Sequence, residues 1–423
     1  MTPLYSAIIN YNKLNKARFH MPGHSGALIG EFRANNLDVT EIPGLDNLLQ
    51  SDGVIKESEA LLAKSYNVKN ALMVTTGTTT CMQIVMASLK ALKYKVICLD
   101  KMHTSFYNAL RLYDMPYIEC NSIEDIEIKI NKSQTMYAIF TTSPNYFGVV
   151  KDVEKLKEIA TNTNNIVVVD AAHGAHFAFS KLLPTFPGEI ADIAMTSLHK
   201  TMPCLGGSAL LTCNSENLYN TLCLYREICH STSPNYVSMA SMDYAREDFS
   251  VNGEKCYMAI KNEIDSFDGK MASFNIESVD DFSRVVLYKK DVDCYDALLK
   301  LHDMGFSIEM AYEDRLVLIV TPYNYLKLKD FEKALESIEL KTLIRNEIKE
   351  GEKSSLDITD LTADFVELDA AIGCIANADI GIYPPSVPVI RYGTKITEGN
   401  IKILKANKEH LFGLVNNKVP VLK

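Results

Sequence analysis

An aspartate and a lysine follow two consecutive apolar runs in the middle of the chain. The run 165–170 (NIVVVD) is rich in β-branched residues and ends in Asp170, and the run 192–197 (DIAMTS) is followed closely by Lys200. Such runs are typical of buried parallel strands, whose carboxyl ends form the ligand crevice of a doubly wound sheet. The pattern therefore predicts a carboxylate and an amine that face one ligand from two neighbouring strands.

This pair of groups has a chemical use with pyridoxal phosphate (PLP). A lysine holds that cofactor as a Schiff base, and an acid keeps its pyridine nitrogen protonated so that the ring can accept electrons from a breaking bond. Taken singly, Asp170 is also compatible with a capping residue and Lys200 with a solvated side chain. We predict both as catalytic residues because other motifs accompany them in the order that such a site requires.

A hydroxyl-rich turn follows an earlier apolar run. Residues 71–74 (ALMV) predict a buried strand, 75–80 (TTGTTT) a turn, and 81–92 an apolar helix. In this arrangement free backbone N–H groups, the positive end of the helix dipole and threonine hydroxyls can bind a phosphate, although simple helix capping by threonine gives the same pattern. The candidate phosphate ligands are Gly77, Thr78 and Thr79.

Together these motifs resemble the Orn/Lys/Arg decarboxylase family, bacterial fold-type I PLP enzymes, in a short form without an N-terminal wing domain. The resemblance rests on DAAHGAHF (170–177) and SLHKTMP (197–203) and covers nearly the whole chain. It implies an α/β fold, with a fold-type I (aspartate aminotransferase-like) large domain around a mostly parallel sheet and a smaller C-terminal α+β domain. Further matching segments are FHMPGH (19–24), TEIPGLDNLLQSDGVIKESE (40–59), TTGTTT (75–80), DKMHTS (100–105), SPNYFG (143–148), STSPNY (231–236) and YPPSVP (383–388).

The chain is expected to divide into three parts. From about residue 271 it alternates strand-like and helix-like runs, which is typical of a smaller α+β domain. The predicted divisions are an N-terminal arm (1–45), a large PLP-binding domain (46–270) and a small C-terminal domain (271–423).

The resemblance also implies roles for side chains around the crevice. His103, which is predicted as a catalytic residue together with Lys200 and Asp170, is expected to lie flat against the PLP ring. The loop that contains Thr232 is expected to reach the phosphate in a neighbouring subunit's site, which implies a homodimer with shared active sites. By adjacency, Ser197 and His199 are candidates for phosphate binding or proton return, and His173 for contact with the phenolic side of the cofactor.

Three positions depart from the family pattern. Ser25 stands where the family commonly has a lysine, and Ala171 stands where short members often have an acid. Arg391 lies in a segment where the family more typically has Pro-Gly-Glu. An arginine there could grip a substrate α-carboxylate bidentately, as aminotransferases of the same fold do, or form a surface ion pair.

The resemblance implies decarboxylation of a basic amino acid (arginine, lysine or ornithine) to the corresponding amine. Because fold-type I enzymes share one cofactor site across several reactions, an aminotransferase or another PLP lyase is the alternative, and a non-catalytic relative is a second. A metal site made from Asp170, His173, His176 and His199 is a third. The H-x-x-H spacing from a strand end presents two ligands poorly on one face, so no metal is predicted.

Composition limits the class of protein. At 423 residues the chain exceeds one ordinary core, and its net charge of −10 disfavours non-specific nucleic-acid binding while suiting a cationic small-molecule substrate. Ten scattered cysteines without a C-x-x-C pair indicate a reducing compartment. The absence of an apolar leader-like stretch and of any 18-residue apolar run predicts a cytoplasmic protein without a membrane span.

Overall fold

The structure, a computed structural model, describes residues 16–19, 45–343, 363–382, 387–406, 408 and 411–422. Most of the predicted arm, the FHMPGH segment after Phe19, Ser25 and the start of YPPSVP lie outside these residues. Within these ranges, no helix combines the length and the apolar character needed to cross a bilayer. Each of the ten cysteines is a free thiol.

The described residues alternate strands and helices along the chain. The strands are β1 (Ala17–Phe19), β2 (Asn70–Val74), β3 (Lys95–Leu99), β4 (Tyr117–Cys120), β5 (Tyr137–Thr142), β6 (Ile166–Asp170), β7 (Ile193–Ser197), β8 (Ala209–Cys213), β9 (Lys270–Met271), β10 (Phe274–Ile276), β11 (Arg284–Tyr288), β12 (Phe306–Ile308), β13 (Met310–Tyr312), β14 (Arg315–Ile319), β15 (Ala363–Val366), β16 (Ile380–Ile382), β17 (Val387–Ile390), β18 (Leu411–Phe412) and β19 (Val419–Leu422). The helices are α1 (Val54–Ser65), α2 (Gly77–Ala91), α3 (Thr104–Leu112), α4 (Ile123–Asn131), α5 (Val153–Thr161), α6 (Leu198–Thr201), α7 (Glu216–Cys229), α8 (Tyr236–Asp265), α9 (Cys294–Asp303), α10 (Leu328–Ser337) and α11 (Glu398–Ala406).

A seven-stranded sheet forms the centre of the fold, in the order β2-β8-β7-β6-β5-β3-β4. The strands from β7 to β4 pair in parallel, whereas β8 runs antiparallel to both β7 and β2. Side chains alternate between two hydrophobic clusters, so that Val168 packs on one face of β6 while Val167 and Val169 pack on the other. Because both faces are covered, β6 and β7 are buried at every residue, as their continuous apolar sequences predict.

Residues that follow α8 form further sheets with two different cores. An antiparallel sheet, β13-β14-β11-β10-β9, shares the cluster on one face of the central sheet. Residues 363–422 have a cluster of their own and contact the central fold through Arg111, whose guanidinium donates to both oxygens of Asn377 at 3.0 and 2.7 Å. The predicted domain divisions remain a prediction; α8 ends at Asp265 and β9 begins at Lys270.

Asp46 organises the turn that leads into α1. Its carboxylate accepts hydrogen bonds from backbone N–H groups of the turn, those of Asn47, Asp52, Gly53 and Ile55 among them, at 2.7–3.0 Å. Desolvation raises the pKa of Asp46, but these hydrogen bonds outweigh it and lower the pKa from 3.8 to about 2. The ionised carboxylate therefore stabilises this turn.

Replacement of Asp46 by asparagine is expected to lower the free energy of unfolding by about 1 kcal/mol at neutral pH, as for other capping side chains. Because the pKa is depressed in the folded state, the stabilisation is complete above about pH 4 and is lost as the pH falls towards 2. Chemical denaturation of both proteins at several pH values would show the difference narrowing over that interval. A difference that stays constant there would contradict this assignment.

Gly148 brings the SPNYFG loop against the start of β11. It has a φ of +84°, and a Cβ atom there would lie 2.9 Å from Cβ of Arg284 and 3.2 Å from Cβ of Asp281. The site therefore requires both a left-handed backbone and the absence of a side chain.

Substitution of Gly148 by alanine is expected to lower the free energy of unfolding by about 3 kcal/mol, which combines left-handed strain with overpacking. Gly269→Ala is the matched control, because Gly269 has a φ of +76° and no atom of the described residues would lie within 4 Å of its Cβ. The control should lose only about 1–2 kcal/mol. If denaturant titrations show equal losses in the free energy of unfolding for the two variants, the close approach to Arg284 does not contribute to the effect.

Candidate active site

The carboxyl ends of β6 and β7 place Asp170 and Lys200 at the same edge of the central sheet. Asp170 is the last residue of β6 and is 5% exposed, and its Oδ1 accepts the N–H of Ala172 at 3.1 Å. Lys200 lies on the short helix α6, directly after β7. Desolvation lowers the pKa of Lys200 from 10.5, while the Asp170 carboxylate opposes that shift. The two groups therefore lie within each other's electrostatic reach.

His173 connects this lysine to a buried arginine. Its Nε2 lies 3.1 Å from Nζ of Lys200, and its Nδ1 lies 3.2 Å from Nη2 of Arg284. Desolvation lowers the pKa of His173 well below 6.5, and the charges of Lys200 and Arg284 lower it further. The imidazole is therefore neutral at physiological pH, as it must be to accept a hydrogen bond from a guanidinium.

Tyr146 and Glu309 complete this side of the site. The Tyr146 ring lies 4.6 Å from the His173 ring, measured between centroids, and its hydroxyl donates to the Glu309 carboxylate. The negative charge of Glu309 raises the pKa of Lys200. Arg284 and Glu309 are absent from the sequence predictions, and one signal was available: Arg284 directly precedes the strand-like run 285–288 (VVLY).

The TTGTTT turn lies beside the end of β7. Thr78 Oγ1 is 3.1 Å from Oγ of Ser197, which is 1% exposed. Gly77 has a φ of +82° and donates its N–H to the carbonyl of Gly207 at 2.7 Å. The side chain of Thr76, the N-cap residue of α2, makes no capping hydrogen bond within the described part of the chain. This result does not favour the alternative that the turn serves only to cap the helix. The exposed Thr79 follows in the first helical turn, where N–H groups have no intrahelical partner.

Two further histidines lie at this edge. His103 caps α3, where its Nδ1 accepts the N–H of Ser105 at 3.1 Å, and its ring remains exposed. Desolvation within the crevice lowers the pKa of His103; Asp170 raises it and Lys200 lowers it, which places the ring near both. His199 donates from Nδ1 to the carbonyl of Ser208 at 3.0 Å, and burial lowers its pKa.

Thr232 and Arg391 do not contact these residues directly. Thr232 is exposed, but its loop is held beside the TTGTTT turn because His230 Nε2 accepts the N–H of Thr75 at 3.0 Å. Arg391 donates to the Glu119 carboxylate at 2.9 Å, and its guanidinium lies 4.8 Å from the Tyr107 ring centroid. The α-carboxylate contact predicted for Arg391 remains a prediction.

Ala171 and His176 are enclosed by protein. Ala171 is fully buried and its backbone is bonded across to β7, through the carbonyl of Met195 and the hydroxyl of Thr196. His176 Nε2 lies 3.0 Å from the Ser283 hydroxyl and 3.2 Å from the Asp281 carboxylate. Among the described residues, no group of three or more His, Cys, Asp or Glu side chains could hold a metal ion.

The groups at this edge fit the chemistry of PLP. An amine with a lowered pKa lies near a buried carboxylate, and a hydroxyl-lined helix start lies beside the strand that leads to the amine. These are the donors that a carbonyl carbon, a pyridine nitrogen and a phosphate require.

The chain is similar to several decarboxylases in sequence and in structure. The chain is 24% identical to an arginine decarboxylase of Bacillus anthracis, over 96% of this chain and 93% of that protein, and 26% identical to an arginine decarboxylase of Halalkalibacterium halodurans with the same coverages. In structure it is similar to lysine decarboxylase A from Pseudomonas aeruginosa (TM-score 0.71, 15% identity, 88% of this chain and 69% of that one).

A second solved structure, the constitutive lysine decarboxylase of Escherichia coli, has a TM-score of 0.70 at 15% identity and covers 100% of this chain and 82% of that one. A serine palmitoyltransferase of Sphingomonas wittichii is also similar (TM-score 0.55, 14% identity, 73% of this chain and 86% of that one). These similarities confirm the predicted α/β fold of fold-type I. The sequence-family model described as Orn/Lys/Arg decarboxylase, major domain, matches residues 2–121 and 116–303 of the chain. The chain therefore belongs to the Orn/Lys/Arg decarboxylase family.

Proposed function

We propose that the protein catalyses PLP-dependent decarboxylation of a basic amino acid, arginine, lysine or ornithine, to the corresponding amine. The main support is the placement of the Lys200 amine and the Asp170 carboxylate at one edge of the central sheet, after two parallel strands that pair with each other, in a chain of this family. The names of the relatives, arginine and lysine decarboxylases, support the substrate class.

Each residue of the site has a distinct task in this proposal. PLP, when bound, supplies an electron sink for the bond that breaks. Lys200 would hold the cofactor covalently, and Asp170 would stabilise a positive charge on its pyridine nitrogen. Thr78 and Ser197, with the N–H groups of Thr78 and Thr79 in the first turn of α2, would bind its phosphate, because the N–H of Gly77 is bonded to Gly207. His103 would restrict the movement of its ring.

The electrostatics of the site suit a cationic substrate. The carboxylate of Glu309, which lies between β12 and β13, acts on Lys200, and the chain as a whole has a net charge of −10. A negative potential raises the local concentration of a cation and its rate of association.

An amino-acid panel tests the proposal directly. Purified protein supplied with PLP is expected to release CO₂ and the corresponding amine from at least one of arginine, lysine and ornithine. Formation of a keto acid without CO₂ would favour an aminotransferase instead. A yellow, PLP-loaded protein that converts none of the amino acids would indicate a non-catalytic relative.

We also propose that two chains share each active site, through the loop that contains Thr232. Lys200→Ala and Thr232→Asp would each inactivate a homodimer, the second by placing a negative charge near the phosphate. Dimers mixed from the two variants would regain activity if the loop acts on the partner's site. If the loop acts within its own chain, the mixture stays inactive.

The KM for the amino acid distinguishes a substrate-binding role of Arg391 from a structural role. A grip on the α-carboxylate predicts that Arg391→Ala raises the KM for every accepted amino acid alike. An unchanged KM with a lower free energy of unfolding would assign the side chain to its ion pair with Glu119.

A further inference from the structure

Arg284 is a buried cation beside the candidate active site. It begins β11, and its side chain is 1% exposed. Its Nη2 lies 3.2 Å from Nδ1 of His173, while Nε and Nη1 have no hydrogen-bond partner among the described residues. Arginine is seldom fully buried unless it is paired. The charge of Arg284 lowers the pKa of the buried Asp281 carboxylate, but its hydrogen bond goes to His173, which indicates a specific task.

The hydrogen bonds of the His173 imidazole determine which of its two ring nitrogens carries the hydrogen. A guanidinium has donors and no acceptor, so Nδ1 of His173 must be the accepting nitrogen. A neutral imidazole then has its hydrogen on Nε2, the atom that lies 3.1 Å from Nζ of Lys200. This Nε2–H group donates to the amine, which therefore offers its lone pair and is uncharged. A protonated lysine would instead require an imidazole with two accepting nitrogens, which the neutral ring does not have.

We propose that Arg284 is a positioning residue that holds His173 in its Nε2–H tautomer, so that His173 donates to Lys200 and keeps the free amine uncharged and oriented. The role rests on the proposed function, in which Lys200 is the group that binds PLP. Arg284 itself does not contact Lys200 through a hydrogen bond; it acts through the ring between them.

Other charges face these groups and must be included in any pH profile. Lys200 is acted on by Asp170 and Glu309, which favour its charged form, and by Arg284, which disfavours it. His173 is acted on by Lys200, Arg284, His103 and His176, all of which disfavour its protonation. Desolvation is the largest cause that lowers the pKa of Lys200, and Arg284 adds to it, so removal of Arg284 shifts the amine towards its ammonium form.

The first test reads the tautomer directly. Nuclear magnetic resonance spectra of the full-length protein, labelled with ¹⁵N in the histidine rings, contain the signals of nine histidines. The His173→Gln variant identifies those that belong to His173. We expect the Nε2–H tautomer in the wild-type protein and in Arg284→Lys, which retains a charged donor. We expect a change towards Nδ1–H in Arg284→Met. An Nδ1–H tautomer in the wild type would overturn the proposal even if the methionine variant did not fold, and so would an unchanged tautomer in a folded Arg284→Met protein.

The second test measures the protonation of the Lys200 amine. Brief acylation of the PLP-free, full-length chain at a series of pH values, with the Lys200 peptide quantified by mass spectrometry, gives the fraction of uncharged amine. Arg284→Met should move the midpoint of the Lys200 reactivity profile up by about one pH unit, which lowers the reactivity about tenfold at pH values below both midpoints, and Arg284→Lys should not. Reactivity unchanged in Arg284→Met would overturn the proposal. Neither test depends on turnover, so a protein that decarboxylates nothing but gives both results would refute the proposed function alone.

Discussion

Replacement of Lys200 by alanine is expected to lower kcat for amine formation by about 10³-fold or more, with every accepted amino acid, since members of one catalytic unit have effects of that size. The substitution removes the amine that would hold PLP, while the surrounding strands β7 and β8 keep their pairing. The measurement is CO₂ release with PLP in excess, together with the yellow absorption of the protein after removal of free cofactor.

The matched control is Lys261→Ala on the outer surface of α8. Lys261 forms an exposed pair with Asp265 at 3.0 Å, and exposed pairs of this kind contribute little to stability. Activity of the control should stay close to that of the wild type. A Lys200→Ala protein that retains both turnover and the yellow absorption would show that another amine binds the cofactor.

Replacement of Asp170 by asparagine is expected to lower kcat by about 10²- to 10³-fold, the usual effect of removing one preorganised electrostatic partner of a transition state. Asparagine still offers Oδ1 to the N–H of Ala172, so the end of β6 should remain folded. The negative charge is lost, however, and with it the interaction that favours the charged form of Lys200. Steady-state kinetics and unfolding titrations of the same preparation separate the two effects.

Asp265→Asn is the corresponding control, because it removes a carboxylate of the exposed α8 pair. It should change neither kcat nor KM. If Asp170→Asn lowers the free energy of unfolding but leaves kcat unchanged, Asp170 has only a structural role. A fall in kcat with normal stability supports its role opposite the pyridine nitrogen.

The parts of the site that could be predicted from the sequence are those in which one short segment contains both the structural and the chemical signal. The runs at 165–170 and 192–197 coincide closely with β6 and β7, because strands buried on both faces are continuously apolar. The parallel pairing of these strands then brings Asp170 and Lys200 to one edge. The turn at Gly77 was equally local, since a glycine between threonines precedes an apolar helix.

The partners of these residues could not be predicted, because they come from distant parts of the chain. Arg284 reaches His173 from a position 111 residues later, and Glu309 meets Tyr146 across 163 residues. The spacing of residues along the sequence does not predict such contacts. The same holds for Arg391, whose bond to Glu119 spans 272 residues, and for the separate hydrophobic core within residues 363–422.

The antiparallel strand β8 has a consequence for ligand binding. It begins between the carboxyl ends of β7 and β2, where Gly207 accepts the N–H of Gly77 and lies so close to the Thr75 carbonyl that a Cβ atom would be 2.8 Å away. The pairing of β8 with both strands and this hydrogen bond therefore couple the segment that bears Lys200 to the proposed phosphate turn, so that the two should keep their relative positions. A ligand that spans both segments therefore meets a carboxylate, an amine and the phosphate turn in fixed relative positions.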